Sequence, residues 1–388
     1  MPRRTHTKSR NGCDQCKKRR VKCDERGPPC SNCITRALRC TYLNAPTARS
    51  LDNSLSASPN STYSGQSQTP DVASHSFFST TPPIPSAWSR KRELELMHKF
   101  STDTYRSLCN KESDHYVWQI VMPRKALEHD FLMGGILAVA SLHTASALEP
   151  PEALSYIDTA LEYHNQGLVP YRHAIDNLTP LNCDAVFAHS VITIMLSIAL
   201  PRLPASKGES SSMTENIIFV FELLKGVAKI LSITRSWLEN NLFASKNCFF
   251  EKSTVPLDVG TEAALSRLTE LNDTTLANVD PDQHRIMKDA ISLLHRCFMR
   301  YAHFQDAASV LSWLAAVDKE FVQVLSRRQP LSLLVLMYWG VLLAELDGRM
   351  WWARNSGSAL VSEILVALQG GDGRWEEDVL WPKQKLGL

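Results

Sequence analysis

Six of the chain's ten cysteines lie in its first forty residues: Cys13, Cys16, Cys23, Cys30, Cys33 and Cys40. Their spacing reads C-x2-C-x6-C-x6-C-x2-C-x6-C, so the second half repeats the first. Two residues between a pair of thiolates let one turn aim both sulfurs at a single zinc ion. Six sulfurs cannot furnish two separate four-coordinate sites, but two tetrahedral zincs form if two sulfurs are shared. The symmetry of the repeat predicts that the first cysteine of each half does the sharing. Cys13, Cys16, Cys23 and Cys30 then hold one ion, and Cys13, Cys30, Cys33 and Cys40 the other. The competing reading is three disulfides, in any of about fifteen pairings. Met1 to Arg10 is polar and basic with no apolar stretch behind it, so no export signal is expected and the thiols are expected in a reducing compartment.

The residues between these cysteines are strongly basic. Lys17-Lys18-Arg19-Arg20-Val21-Lys22 is expected on a short helix following the first CxxC, and the second half contributes only Arg36 and Arg39. Alone, such a run is a solvated face or a nuclear-import signal. Locked against a metal cluster, it becomes a rigid surface for phosphates and base edges. Lys17, Lys18, Arg19, Arg20, Lys22, Arg36 and Arg39 are therefore the candidate DNA contacts, with the first half entering the major groove and the second supporting it. Arg3, Arg4, Lys8 and Arg10 suit either import or an arm gripping the backbone. Residues 1–50 carry thirteen Lys/Arg against three Asp/Glu, while the rest carry 29 against 37. A polyanion is expected to meet the head only.

Over about residues 10–43 the chain resembles the fungal binuclear zinc-cluster (Zn2Cys6) transcription factors. In that family a proline, often cis, stands five residues after the third cysteine, where this chain has Pro28. The family's Arg-Lys pair after the second cysteine appears as Arg19-Arg20, which keeps the charge and changes the donor geometry. The resemblance implies two zinc ions, nuclear localisation, double-stranded DNA as partner and a preference for CGG triplets. Shuttling from the cytoplasm is a further expectation.

Residues 44–87 hold eleven Ser, five Thr and six Pro, with only Arg49, Asp52 and Asp71 charged. Such a stretch cannot bury enough apolar surface to offset ordering entropy, so a flexible linker of roughly 35–40 Å span is expected. From Trp88 onward apolar residues recur at helical spacing. One stripe runs Ile286, Ala290, Leu293, Cys297, Tyr301 and Phe304, widened by Met287, Ile291, Leu294 and Phe298; another runs Leu154, Ile157, Leu161 and Leu168. Helices are predicted over 90–109, 127–147, 151–169, 181–199, 214–235, 259–271, 282–304, 307–327, 331–347 and 352–369, broken at prolines and at Gly370-Gly371. The apolar runs 191–200 and 331–346 are short of the ~20 residues that span a bilayer and are expected to be buried core helices, without membrane insertion. The predicted fold class is thus mainly α, with a zinc-cluster head (1–43), a disordered linker (44–87) and an all-α regulatory body (88–388).

Several body segments resemble the sterol uptake control proteins and related fungal regulators: 93–98, 131–145, 182–190, 347–352 with Gly357, Trp375 and Trp381-Pro382. That resemblance implies a hydrophobic pocket, with a sterol or other lipid as ligand and a homodimer as an assembly state. The alternative is a pathway-specific regulator of a secondary-metabolite gene cluster whose body only dimerises. An all-α enzyme is the remote alternative. DDxxD, P-loop, HExxH, GxSxG and GxGxxG patterns are missing, and no catalytic residue is assigned. His143 and His295 are read as satisfied core or groove residues, and Cys109, Cys183, Cys248 and Cys297 as buried thiols.

Overall fold

The computed structural model describes residues 13–24, 30–36, 38, 40, 87–109, 112–203, 212–238, 255–369 and 375–388. Pro28, Arg39, Cys248, the basic arm, the predicted linker except Ala87, and Gly370-Gly371 lie outside them. The chain divides into two compact units, Met1–Thr80 and Thr81–Leu388.

In the first unit α1 spans Asp14–Lys18 and α2 spans Ser31–Ile34. The second unit is helical throughout its described residues. It runs α3 (Ala87–Thr102), a 3-10 turn Thr104–Leu108, α4 (Glu112–Tyr116), a π-turn Val117–Val121, α5 (Met122–Ala126), α6 (Asp130–Ala145) and α7 (Glu152–Asp176). There follow α8 (Cys183–Ala199), α9 (Met213–Leu238), α10 (Val259–Leu276), α11 (Pro281–Phe304), α12 (Ala307–Ala316) and α13 (Lys319–Ser326). The last are α14 (Pro330–Ala344), a 3-10 turn Trp351–Ala353, α15 (Ser356–Gln369) and α16 (Leu380–Leu386).

Local chemistry explains the helix starts. Asp258, Asp280, Asp306 and Asp318 are N-caps whose carboxylates accept backbone N–H bonds from Thr261, Gln283, Ser309 and Lys319 at 2.6–3.0 Å. Asp318 corrects the predicted 307–327 helix. Val317 and Asp318 are extended (ψ 142° and 156°), and the Asp318 cap starts α13 as a separate helix. A second correction is α7, which passes through Pro170 instead of ending at 169. The proline ring denies the Gln166 carbonyl its helical partner, but both residues are exposed, so water can replace the bond. The helix is retained because α7 buries Ala153, Ala160, Gly167 and Ala174, a line of small residues packed against α6. Leu161 of the predicted stripe is exposed.

The core is continuous. On α11 the buried line is Met287, Ala290, Ile291, Leu294, Cys297, Phe298 and Tyr301, so the predicted stripe is right in period but centred one position off. α14 is buried from Leu331 to Leu343 on every side. Cys183–Arg202 is a 20-residue apolar stretch long enough to cross a membrane, and 78% of an 18-residue window of it is buried inside the body as a core helix. Trp313 and Trp339 stack at 6.0 Å in the centre, and their indoles donate to the Ala290 and Val310 carbonyls at 2.9 and 3.0 Å. Each large ring thereby meets its polar requirement without leaving the core. Glu363 of α15 accepts from Ser212 Oγ, Met213 N and Thr214 N at 2.6, 2.6 and 3.2 Å, tying the start of α9 to α15. Burial pushes that carboxyl up, but the hydrogen bonds from Ser212, Thr214 and Met213 outweigh it and hold Glu363 below the ordinary carboxylate range.

Where α14 and α15 cross, Gly357 sits against backbone. A Cβ there would lie 2.4 Å from Ala344 N and 2.5 Å from Gly340 O, so no other residue fits without separating the helices. α4, α5 and α16 were not foreseen from the apolar pattern, which is short and irregular in these segments.

Candidate metal centre and nucleic-acid interface

The six-cysteine repeat folds as a repeat. Cys13 N donates to Cys23 Sγ at 3.4 Å, and seventeen residues later Cys30 N donates to Cys40 Sγ at 3.3 Å. Val21 N donates to Cys16 O at 3.1 Å, and Leu38 N to Cys33 O at 3.0 Å. Each CxxC opens a short helix, with Cys13 and Cys30 as the two N-caps. The halves are joined by Asp24. Its carboxylate accepts from Ser31 N at 3.2 Å and from the Ser31 hydroxyl, capping α2 from the first half. Asn32 Nδ2 donates to Lys22 O at 2.7 Å across the same seam. Neither crosslink has a local sequence signature, and sequence reasoning missed both.

This frame gathers sulfur into two sets. The Sγ atoms of Cys13, Cys16, Cys23 and Cys30 lie within 4.8 Å of one another, and so do those of Cys13, Cys30, Cys33 and Cys40. Cys13 and Cys30 belong to both, with their sulfurs 3.7 Å apart. Five of the six cysteines are buried, and Cys40 is half-buried. Burial, then the neighbouring sulfurs, raises the Cys16 thiol and pushes Cys33 up to about 12. Six crowded thiolates are tolerable only around cations, whose charge ionises a coordinating thiol outright. A thiolate-only tetrahedral donor set suits zinc. The donor set thus fits two zinc ions, and Cys13, Cys16, Cys23, Cys30, Cys33 and Cys40 could all ligate.

The basic run is placed differently from the expectation. α1 carries only Lys17 and Lys18; Arg19 and Arg20 form the turn that ends it, and Lys22 lies beyond the helix. The helix ends early because Arg20 is left-handed, with φ 54°. Arg20 N donates to Lys17 O and Val21 N to Cys16 O, both at 3.1 Å, which is the paired-bond C-cap that normally takes glycine. Lys17, Lys18, Arg20 and Lys22 are exposed, whereas Arg19 is half-buried and its Nη1 is shielded without a hydrogen-bond partner. Arg36 is exposed on the second half. On that half Ile34, Thr35 and Ala37 occupy the repeat positions of Lys17, Lys18 and Arg20. The scaffold is symmetric and its charge is not.

Elsewhere the expected roles hold in part. Cys109, Cys183 and Cys297 are buried thiols, with Cys297 pushed up to about 11 by burial. His295 is a half-buried surface group 3.0 Å from Glu262 Oε2. His143 is half-buried, with Nδ1 2.9 Å from Thr104 Oγ1.

Residues 11–50 match the fungal Zn(2)-Cys(6) binuclear cluster domain. The chain carries the zinc-cluster domain of fungal-type transcription regulators. A Zn(2)-C6 fungal-type transcription factor of Gibberella zeae is 24% identical over 433 aligned positions, covering 98% of the regulator and 86% of that relative. The Zn(2)-C6 fungal-type transcription factor afumD of Aspergillus fumigatus is 32% identical over 193 positions, 49% of the regulator and 47% of that protein. Sterol uptake control protein 2 of Candida albicans is 61% identical over 44 positions, 11% of the regulator and 6% of its own length. A match that short is the size of the cluster domain and far shorter than the helical body. Both of the longer-matching relatives are named as transcription factors.

Proposed function

We propose that the regulator binds double-stranded DNA through residues 1–43, with Lys17, Lys18, Arg20 and Lys22 as the groove-facing set and Arg36 and Arg39 as backbone contacts. Cys13 and Cys30 bridge two zincs, Cys16 and Cys23 complete one, and Cys33 and Cys40 the other. Residues 44–87 serve as linker and 88–388 as effector body, in a nuclear protein. The observation that carries the DNA reading is Arg20. A non-glycine residue in the left-handed region costs on the order of 1–3 kcal/mol and is retained where the side chain has work to do. Here it turns a guanidinium outward from a metal-locked turn.

Arg20→Gly separates function from folding. It relieves the backbone, so the head is expected to be at least as stable, yet site-specific affinity falls by about 1–3 kcal/mol. Arg36→Ala is expected to weaken specific and scrambled duplexes alike and to reduce the salt slope by about one unit. Titrations with CGG-containing and scrambled duplexes at two salt concentrations read both. An unchanged specificity ratio in Arg20→Gly removes this side chain from base recognition.

The finer reading of the body, a sensor for a sterol or other lipid, is supported by the sequence resemblance alone. An apolar ligand at a hundred times its dissociation constant adds about 2.7 kcal/mol, a rise of a few degrees in melting temperature for a domain of this size. A sterol and fatty-acid melting screen of the regulator, with sedimentation alongside, is the check. No response from a sedimenting dimer favours the alternative body that only dimerises.

A further inference from the structure

One side of the body carries a cleft of about 220 Å³ lined by Asp103, Arg106, Ser107, His143, Gly348, Arg349, Trp351 and Arg354. Three of those residues are arginines, and among the described residues none makes an ion pair within 4 Å, although Lys99, helped by the Arg106 charge, holds the Asp103 carboxyl down. Arg349 donates to Gln305 O and Oε1 at 3.4 and 3.0 Å, and Arg354 to Ser146 O at 3.4 Å. Arg106 lies over the Tyr105 ring at 5.6 Å. These partners are neutral, so they aim the guanidiniums without spending their charge. The one acidic lining residue, Asp103, is already engaged by Lys99 in an i,i+4 ion pair. His143 adds no charge at neutral pH, because burial, reinforced by Lys99, holds it down at about 4 against the pull of Asp103. The cleft is a positively charged recess.

It is also built in advance. Its Arg349, Trp351 and Arg354 come from the loop between α14 and α15, which Asp347 clamps by accepting from Gly348 N at 3.1 Å and Asn355 N at 3.2 Å. Gly348 (φ 74°) and Asn355 (φ 59°) make the two left-handed turns this requires. The loop is held down by two indoles. Trp351 Nε1 donates to Ser107 Oγ at 2.9 Å and Trp352 Nε1 to Ser107 O at 3.0 Å. The His143 ring stacks on Trp351 at 4.8 Å and 7° between planes, giving the recess an aromatic wall.

We propose that this cleft binds a small planar carboxylate, a single aromatic or heteroaromatic ring bearing one carboxyl group. Guanidinium forks match carboxylate geometry, planar rings pack against an aromatic wall, and the volume lies below the ~300–1,000 Å³ of pockets for drug-sized ligands. The lining residues all belong to the body, and the site would make the body responsive to a water-soluble metabolite.

The test uses the full-length regulator and defined probes at constant ionic strength. Benzoate and nicotinate are titrated by calorimetry, beside benzamide (planar, neutral), cyclohexanecarboxylate (charged, not planar) and inorganic phosphate. Saturable binding of the two planar carboxylates is expected, with benzamide about tenfold weaker or more, as one lost charge-assisted contact implies, and cyclohexanecarboxylate and phosphate weaker for want of the planar ring face. Arg349→Gln and Arg354→Gln, both at exposed positions, are expected to weaken benzoate about tenfold while leaving zinc content and melting temperature unchanged. Equal binding of phosphate, or binding that both variants retain, overturns the proposal in favour of a diffuse basic patch. Binding of none of the probes to a folded, zinc-loaded chain overturns it as well.

Discussion

Cys13→Ser and Cys30→Ser each strip both zinc ions from the regulator, whereas Cys16→Ser and Cys40→Ser each leave one. That is the result expected if the sulfurs shared by the two donor sets bridge the ions. Losing a bridge opens both coordination spheres, and losing a terminal ligand opens one. Structural zinc contributes on the order of 10 kcal/mol to a module this small, which has little else to hold it. Apart from its sulfurs, the described head residues contain no buried apolar cluster. Metal removal should therefore unfold the head, abolish DNA binding and leave the melting of the helical body in place. Metal analysis of the wild-type and four variants, with DNA titration and calorimetric melting, reads all three. A wild-type value of one zinc per chain, or equal zinc loss in all four variants, contradicts the shared-sulfur arrangement.

The second large effect is in the body. Gly357→Ala puts a methyl group 2.4–2.7 Å from Ala344 N, Gly340 O and Ala344 Cα. All are backbone atoms of α14, which is buried on every side and cannot swing away. The crossing must open, at a cost at or above the upper end of the ~1–3 kcal/mol typical of overpacking. For a domain of this size that is a fall of about 5–10 °C in melting temperature. Gly226 of α9 is the counterpart, because a Cβ there meets nothing within 4 Å. Gly226→Ala should stabilise by about 0.5–1 kcal/mol through helix propensity. Differential scanning calorimetry of the pair distinguishes close approach from a generic intolerance of glycine substitution. Equal melting of Gly357→Ala and wild type would show that the crossing has slack.

The sequence of the head determined a great deal by itself. Cysteine spacing is local and discrete, so zinc, the number of ions and the two overlapping cysteine sets could be read before any coordinates. The exposure of Arg20 and the shielding of Arg19 could not be read. Both follow from a left-handed turn at Arg20, a position where composition offers no glycine to announce it. The Asp24 cap on Ser31 spans seven residues and depends on how the two halves meet, so no local pattern predicts it.

In the body the helical class was legible because helix burial has a period of 3.6 residues. Most long helices were found within a few residues of their ends. The split at Asp318 was missed, because the apolar stripe runs on through it and outweighed the local signal of an aspartate N-cap. The passage of α7 through Pro170 was not legible, because a proline reads as a stop unless the neighbouring helix that holds the segment is known. Nor could Gly357 be recognised as a crossing point, or Arg106, Arg349 and Arg354 as one recess. The recess draws on a turn near residue 106, a helix end near 143 and a loop after 346, more than 200 residues apart. Short-range chemistry is written in residue order, whereas the convergence of distant charges is decided only when the core closes and the loops between its helices are pinned.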